Sequence, residues 1–523
     1  MARTIRQSAR KWERNGIGAA LCLGLLPLAI GAAKAPVRLE PLRVLVVGGG
    51  PDLQNNQVAI ESNVRYVGKL LPRGTERITL FADGNPQNAT VLYEEDTHLL
   101  PAGERLLKTL LRGREAGDDN SLHYRKPNLN AKLDGASKRT EIDKAFERLT
   151  TASKEKKKSV FLYFTGHGSP GSSGFDNNVM DLWGEKERIS VRELAQHLQA
   201  LPPEIPVTLV MVQCYSGSFA NLLFENGDPK GNPIGRDFAG YFAAIKERTA
   251  AGCTPEINEA EYHDFTSYFF AALTGKDRVG RTVSGTDYNG DGRVGMDEAY
   301  CYTLANDKSI DVPVCTSDVF LRRYLTIRDT EVFRAKWSDV VMWATPAQRF
   351  ALESLSRTLN YSGEDRLNLA YGEMVTGGGG RSNPGGDVRA ELRRTAERYR
   401  ARRSELHRTL FSRFPDLKNE GGSNLAALRR EATRWLANQA DQTEWQEFLA
   451  LDDKTYQLEK QTESLEESAA RQMRFVRLGK SVILAHLLRT GTETALITRF
   501  EKLIEAEGRS LLPNSQVSKR ASL

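Results

Sequence analysis

Two short apolar runs constrain this chain more than anything else in it. Val160 to Gly168 and Val207 to Gly217 are rich in β-branched and aromatic residues and bounded by Gly or Pro. Runs of this length and composition read as buried strands of a parallel sheet. Each carries a residue capable of covalent chemistry just past its carboxyl end, His167 in the first and Cys214 in the second. In open α/β sheets ligands bind at that edge. Taken singly, a Cys after a strand fits a buried apolar filler and a His in a Gly-rich turn fits a turn residue. Delivered together on equivalent strand ends, they are a thiol nucleophile and its acid/base partner.

The surrounding pattern alternates strand and helix. Val44 to Val47 runs as a strand into Gly48 to Gly50, and Val58, Ile60, Val64, Val67, Leu70 and Leu71 then recur at helical spacing up to Pro72. Ile78 to Phe81 is a second strand, closed by a turn at Asp83 and Gly84. Residues 85–138 are polar, with clustered Gly, Pro, Asn and Asp, and are expected as a long irregular surface insertion. Thr140 with Asp143 resembles a capping box, and Ser190 with Glu193 forms one outright, opening a helix that ends before Pro202. A strand from Phe238 to Ile245 and a helix from about Asp264 to Leu273 follow. The alternation predicts an α/β fold, a mostly parallel sheet with helices on both faces.

At 523 residues, with 40% hydrophobic and 27% charged, the chain has material for two or three domains. A net charge of +6 is small for that length, and no nucleic-acid motif accompanies it, so no nucleic-acid partner is expected. Residues 1–35 have the layout of an export signal: Arg3, Arg6, Arg10, Lys11 and Arg14, an apolar run from Ile17 to Ala33, and small residues through Ala35. Pro27 and the glycines within the run favour cleavage. Pro36 spoils the site after Ala35, and the run approaches the roughly 17 residues that can just span a bilayer, so an uncleaved anchor, with membrane contact, stays open. The expected location is periplasmic or secreted. Of the five cysteines, Cys22 belongs to the signal. An oxidising compartment permits one disulfide among Cys253, Cys301 and Cys315, with Cys301 to Cys315 the expected pair.

Residues 287–298 match the twelve-residue calcium loop. Asp287, Asn289 and Asp291 put oxygen donors at positions one, three and five, Gly292 permits the sharp turn, Arg293 offers its carbonyl, and Glu298 can close the site bidentately. A helix can follow the loop but not precede it. A structural Ca2+ is expected, without an organic cofactor.

With His167-Gly168 and Gln213-Cys214 each closing an apolar strand, in that order and separated by a short helical crossover, the chain resembles the caspase and legumain group of cysteine peptidases over about residues 42–325. The small Ser216-Gly217 after the Cys, Asn55-Asn56-Gln57 heading the first helix, and Thr249 to Ala251 followed by Phe265-Thr266 are most similar to the legumain-like branch. The resemblance implies a caspase-like fold with Cys214 as nucleophile and His167 as the acid that protonates the leaving amine. It further implies an oxyanion hole from the backbone N–H groups of Gly168 and Cys214, and substrate contacts at Asn55, Asn56 and Gln213. A fixed pair of N–H donors stabilises charge that appears only in the transition state. Val212 stands where relatives often carry an acidic residue, and Asn55 or Asn56 where they carry a basic one. Their charge-directed specificities therefore do not transfer, and a neutral or small preferred residue is expected.

Beyond about residue 330 the texture turns helical. The expected organisation is an export signal at 1–35, a catalytic domain at 36–328, a helical extension at 329–376, a Gly-rich linker at 377–386, and a helical hairpin or bundle with a disordered tail at 387–523. Thr345 and Pro346 open a helix. Leu392, Tyr399 and Leu406, then Leu410 and Phe414, form one apolar stripe; Trp435, Trp445, Phe448, Leu458, Met473, Val476 and Leu484 continue the pattern. Between Arg389 and Arg413 nine Arg face three Glu. That is either a solvated face or an electrostatic contact with an acidic partner, an anionic surface or the catalytic domain. The function expected is an exported cysteine endopeptidase acting on peptides or proteins. The alternatives are a catalytically silent scaffold that binds a protein partner through the helical region, and a transpeptidase that resolves the same acyl-enzyme with an amine.

Overall fold

A computed structural model of the chain describes residues 42–71, 75–94, 98, 100–111, 123–376, 384–418 and 424–511. The expected export signal with Cys22, most of the expected Gly-rich linker and the expected disordered tail lie outside them.

The apolar runs form strands because they are buried along nearly their whole length: β1 (Leu42–Gly49) and β5 (Ser159–Gly166) each expose only their first residue. Helix α1 (Val58–Leu70) follows β1, and β2 (Glu76–Phe81) pairs back on it in parallel. Next come β3 (Val91–Tyr93), α2 (Ala102–Leu111), β4 (His123–Arg125) and α3 (Arg139–Glu155). After β5 the chain makes a small antiparallel sheet of β6 (Gly168–Gly171), β7 (Gly174–Asp181) and β8 (Arg188–Ser190), then α4 (Val191–Ala200), β9 (Val207–Val212) and β10 (Phe238–Phe242). Helices α5 (Phe265–Thr274) and α6 (Met296–Asn306), strand β11 (Val314–Cys315) and α7 (Thr316–Tyr324) complete this half. The main sheet has the order β11-β10-β9-β5-β1-β2 and is parallel except for the β10–β11 edge. The fold is α/β, as the alternation predicts.

The C-terminal half is helical: α8 (Asp329–Val332), α9 (Trp337–Trp343), α10 (Pro346–Thr358), α11 (Arg366–Thr376), α12 (Pro384–Arg413), α13 (Leu425–Gln439), α14 (Thr443–Arg489) and α15 (Thr494–Glu507). Helix α14 has 47 residues and is about 70 Å long at 1.5 Å per residue. Its two ends serve different cores. Phe475, Val476, Val482, Ile483 and Leu484, with Phe500 and Leu503 of α15, join the core built on the main sheet. Trp445 and Phe448 at the other end pack with Tyr399, Leu406 and Leu410 of α12, Leu436 of α13 and Leu106 and Leu110 of α2. Arg389–Glu466 and Arg402–Glu447 pair across α12 and α14, so the two helices run antiparallel. No helix among the described residues is long and apolar enough to cross a membrane.

Several expectations are corrected. The stretch 85–138 is not wholly irregular: β3, α2 and β4 lie within it, and α2 buries Leu106, Leu107 and Leu110 in the second core. Its glycine, Gly103, sits so close to α13 that a Cβ there would come within 2.5 Å of the Thr433 carbonyl. Thr140 does not cap α3, which begins one residue earlier, where the Arg139 N–H donates to Glu187 Oε2 at 3.2 Å. The capping boxes at Ser190–Glu193 and Thr345–Gln348 form. Strand β10 ends at Phe242, short of Ile245. The region assigned to a linker to 386 is already helical from Pro384. Cys301 and Cys315 are free, with Cys301 inside α6 and Cys315 Sγ held by Ser317 Oγ at 3.2 Å.

Candidate active site

Strands β5 and β9 are neighbours and parallel, with Thr165 opposite Val212. Two residues on, that register carries His167 and Cys214 to matching places past the carboxyl ends of the sheet. The chain builds β2 on one side of β1 and then β5, β9 and β10 on the other. The crevice between β1 and β5 is therefore the topological switch point, the place where such sheets bind ligands. The segment after β1 supplies the near wall of that crevice, through Asn55 and Gln57.

The imidazole is anchored from this wall. His167 Nε2 lies 2.9 Å from the Asn55 carbonyl oxygen and 3.0 Å from Gln57 Oε1. A backbone carbonyl can only accept, so Nε2 carries the proton and donates, leaving Nδ1 as the basic nitrogen of the neutral ring. Burial pushes the His167 pKa below its ordinary value, against the Asn55 hydrogen bond and the charges of Asp181 and Asp52. Gln57 is the contact that sequence reasoning missed. Its only signal was its place beside Asn55-Asn56 at the head of α1.

The thiol is anchored from the opposite wall. Ala250 N–H donates to Cys214 Sγ at 3.3 Å, and the thiol lies 3.7 Å from the Ala250 carbonyl oxygen. Burial raises the Cys214 pKa, with Asp311 and Asp181 adding to the rise and the Ala250 N–H opposing it. The turn that presents the thiol is tightly built. Tyr215 takes the left-handed conformation at φ 60°, its N–H donates to the Arg248 carbonyl at 2.7 Å, and its own carbonyl accepts from Asn178 Nδ2 at 3.0 Å. A Cβ on Gly217 would come within 2.6 Å of the Ala244 carbonyl. Only glycine allows the chain past β10 there. Among the described residues no hydrogen bond joins Cys214 directly to His167.

Gly168 brings the two halves together. A Cβ on it would lie 2.3 Å from the Cys214 carbonyl oxygen and 2.8 Å from Gln213 Cγ, so the backbones expected to form the oxyanion hole run in contact. Asp181 faces the same space, with its N–H donating to the His167 carbonyl at 3.0 Å and its Oδ2 accepting from Ser169 Oγ at 2.6 Å. Two expected substrate contacts are not free for that role. Asn56 is fully buried, accepting from Gly50 N–H at 3.1 Å and donating to the Thr90 carbonyl at 2.8 Å, so it pins β1's exit to the β3 segment. Gln213 is buried beneath Gly168. Asn55 stays at the cleft, its side chain hydrogen-bonded to Asp52 and its carbonyl to His167.

In the 287–298 loop the oxygen-bearing side chains fold onto backbone amides. Asp287 accepts from Gly290 and Gly292, Asn289 from Asp291, and Asp291 from Arg293, all at 2.8 to 2.9 Å. Gly292 sits at φ 86°, the left-handed turn its position calls for. Glu298 is buried and accepts from Tyr288 and Asn289 on one oxygen and Gly295 on the other. Burial raises its pKa, the three amides resist, and Asp287 adds to the rise. Among the described residues no basic side chain pairs with Glu298, and no three His, Cys, Asp or Glu side chains converge into a ready-made metal group. No family model and no curated protein matches the chain with significance.

Proposed function

We propose that this chain is an exported cysteine endopeptidase in which Cys214 forms a thioester with the acyl half of a peptide substrate. The observation that carries the reading is the pairing of His167 and Cys214 at matching ends of β5 and β9, each held by its own hydrogen bonds across one crevice. Burial favours the neutral forms of both groups, so the resting pair is a thiol and an imidazole. The thiol proton goes to His167 Nδ1 as sulfur attacks the carbonyl carbon. The same proton then goes from Nδ1 to the leaving nitrogen as the C–N bond breaks, and water resolves the thioester. With no direct hydrogen bond between the residues, the proton crosses to the ring by way of water. Backbone N–H groups at Gly168 and Cys214 stabilise the oxyanion.

A Ca2+ held by Asp287, Asn289, Asp291, the Arg293 carbonyl and Glu298 belongs to this reading. An all-oxygen donor set with a buried carboxylate that has no basic partner among the described residues fits a hard cation, and the ion would supply structural cross-linking of the loop. Purified protein lacking the signal should hydrolyse members of a peptide library, and Cys214→Ala should abolish that turnover. Undiminished hydrolysis by Cys214→Ala would sink the assignment. Chelation and Glu298→Gln should each lower the melting temperature, and unchanged melting in both would remove calcium from the picture.

A further inference from the structure

The segment that grips the nucleophile's sulfur is itself held from behind by a buried acid. Ala250 contacts Cys214 Sγ through both its N–H and its carbonyl. That carbonyl and the N–H of Ala251 belong to one planar trans peptide unit, in which they point to opposite sides. The Ala251 N–H donates to Asp311 Oδ1 at 2.7 Å, so the orientation of the carbonyl beside the sulfur is set by Asp311. The other Asp311 oxygen accepts from Phe265 N–H at 3.0 Å, the first residue of α5. Asp311 has no exposed surface, and its own N–H donates to Ser309 Oγ at 3.1 Å.

The stretch leading to Asp311 is fixed by a distant helix. Arg474 of α14, 1% exposed, donates to the carbonyls of Leu304 at 3.2 Å, Asp307 at 2.8 Å and Ser309 at 2.8 Å. One guanidinium therefore caps the end of α6 and fixes the path of the chain toward Asp311.

We propose that Asp311, seated by Arg474, is a positioning residue for Cys214: by holding the Ala250–Ala251 peptide it fixes the backbone of Ala250, whose own N–H, in the preceding peptide unit, meets the sulfur as the thiolate forms. The inference rests on the reading of Cys214 as the nucleophile. Its consequence is that α14, through Arg474, helps to position the thiol. The groups facing the thiol give the position a distinctive sign. Asp181 from β7 opposes ionisation by its charge, as does Asp311 in its ionised form, although burial and the neighbouring Asp307 push the Asp311 carboxyl toward neutrality; Cys253 lies beside Cys214, and His167 stands across the crevice. Were Asp311 merely a nearby charge, removing it would make the thiol more reactive. As a positioning residue, its removal makes the thiol less reactive, because the N–H that favours the thiolate is misplaced.

Alkylation of Cys214 by iodoacetamide reads the thiol without any peptide substrate. Rates are measured on the full mature chain from neutral to alkaline pH, with the adduct located by peptide mass spectrometry to separate Cys214 from Cys253. Asp311→Ala is expected to move the ionisation midpoint up by about one unit, which is about tenfold slower alkylation at neutral pH. Arg474→Met should move it the same way, and Asp311→Asn, which keeps one acceptor, should move it less. Wild-type or faster alkylation in Asp311→Ala overturns the proposal, as does an Asn variant as slow as the Ala one. Should Asp311→Ala or Arg474→Met fail to fold, Asp311→Asn decides alone: slower than wild type supports the proposal, equal or faster overturns it. A chain that hydrolyses no peptide yet shows the slowing would remove the peptidase reading and leave this one standing.

Discussion

At the scale of single residues, the candidate site depends on close approach. Gly168 is the sharpest case, since a methyl group there would overlap the Cys214 carbonyl at 2.3 Å. Gly168→Ala should lower kcat/KM on a peptide substrate by about a hundredfold, the scale of a misplacement near 1 Å. Retained turnover would show that the two backbones need not touch. Gln57 is one of two acceptors for His167 Nε2. Gln57→Leu should cost about tenfold in kcat/KM, less than loss of the ring itself, because the Asn55 carbonyl still fixes the tautomer. The pH profile follows from the two shifts: burial lowers His167 and raises Cys214, so the thiolate is scarce at neutral pH. Turnover should keep rising on the alkaline side of neutrality, and an acidic optimum would contradict the resting thiol and imidazole.

At the scale of elements, α14 is tied to the sheet domain by buried charge as well as by apolar packing. Asp318 of α7 is buried, which opposes its charge. Arg322 and Arg477 nonetheless hold its carboxyl well below the usual range, with contacts at 2.9 and 2.8 Å. A depressed folded-state pKa contributes stability above the unfolded value of about 3.9, lost as pH falls toward the folded one. Arg477→Met should therefore raise the midpoint of acid unfolding. Its cost at neutral pH should stay below the roughly 3–5 kcal/mol of breaking a buried pair outright, because Arg322 remains. An acid transition at the wild-type midpoint would show that Asp318 does not report on the docking of α14.

At the scale of the whole molecule, α14 runs through both cores, and α2, inserted between β3 and β4, also reaches from the sheet half into the second. Residues of α14 between Leu458 and Ala470 are mostly exposed and belong to neither core. Ser464→Pro breaks the helix there, at about 3 kcal/mol for an interior proline. Calorimetry should then resolve two unfolding transitions, one per core. A single transition displaced as a unit would mean that the cores are coupled by more than this helix. The excess of arginine on α12 also acquires a partial explanation. Arg389 and Arg402 pair with α14, and Arg403 caps the Thr109 and Leu110 carbonyls of α2.

What the sequence determined by itself was local and periodic: apolar strands ending in His167 and Cys214, the capping box at Ser190, the helix start at Thr345 and Pro346, and the glycine-punctuated 287–298 loop. These signals lie within a few residues of the structure they specify, so no distant contact is needed to see them. Only the tertiary structure decided that Asn56 and Gln213 are buried, that Gln57 holds the imidazole, and that α2 belongs with the C-terminal helices. It likewise decided that Asp311 holds the Ala251 N–H and that Arg474 fixes the stretch leading to Asp311. Each of those depends on which distant backbone a polar side chain meets once the cores close, and a buried polar group takes whatever partner packing brings to it.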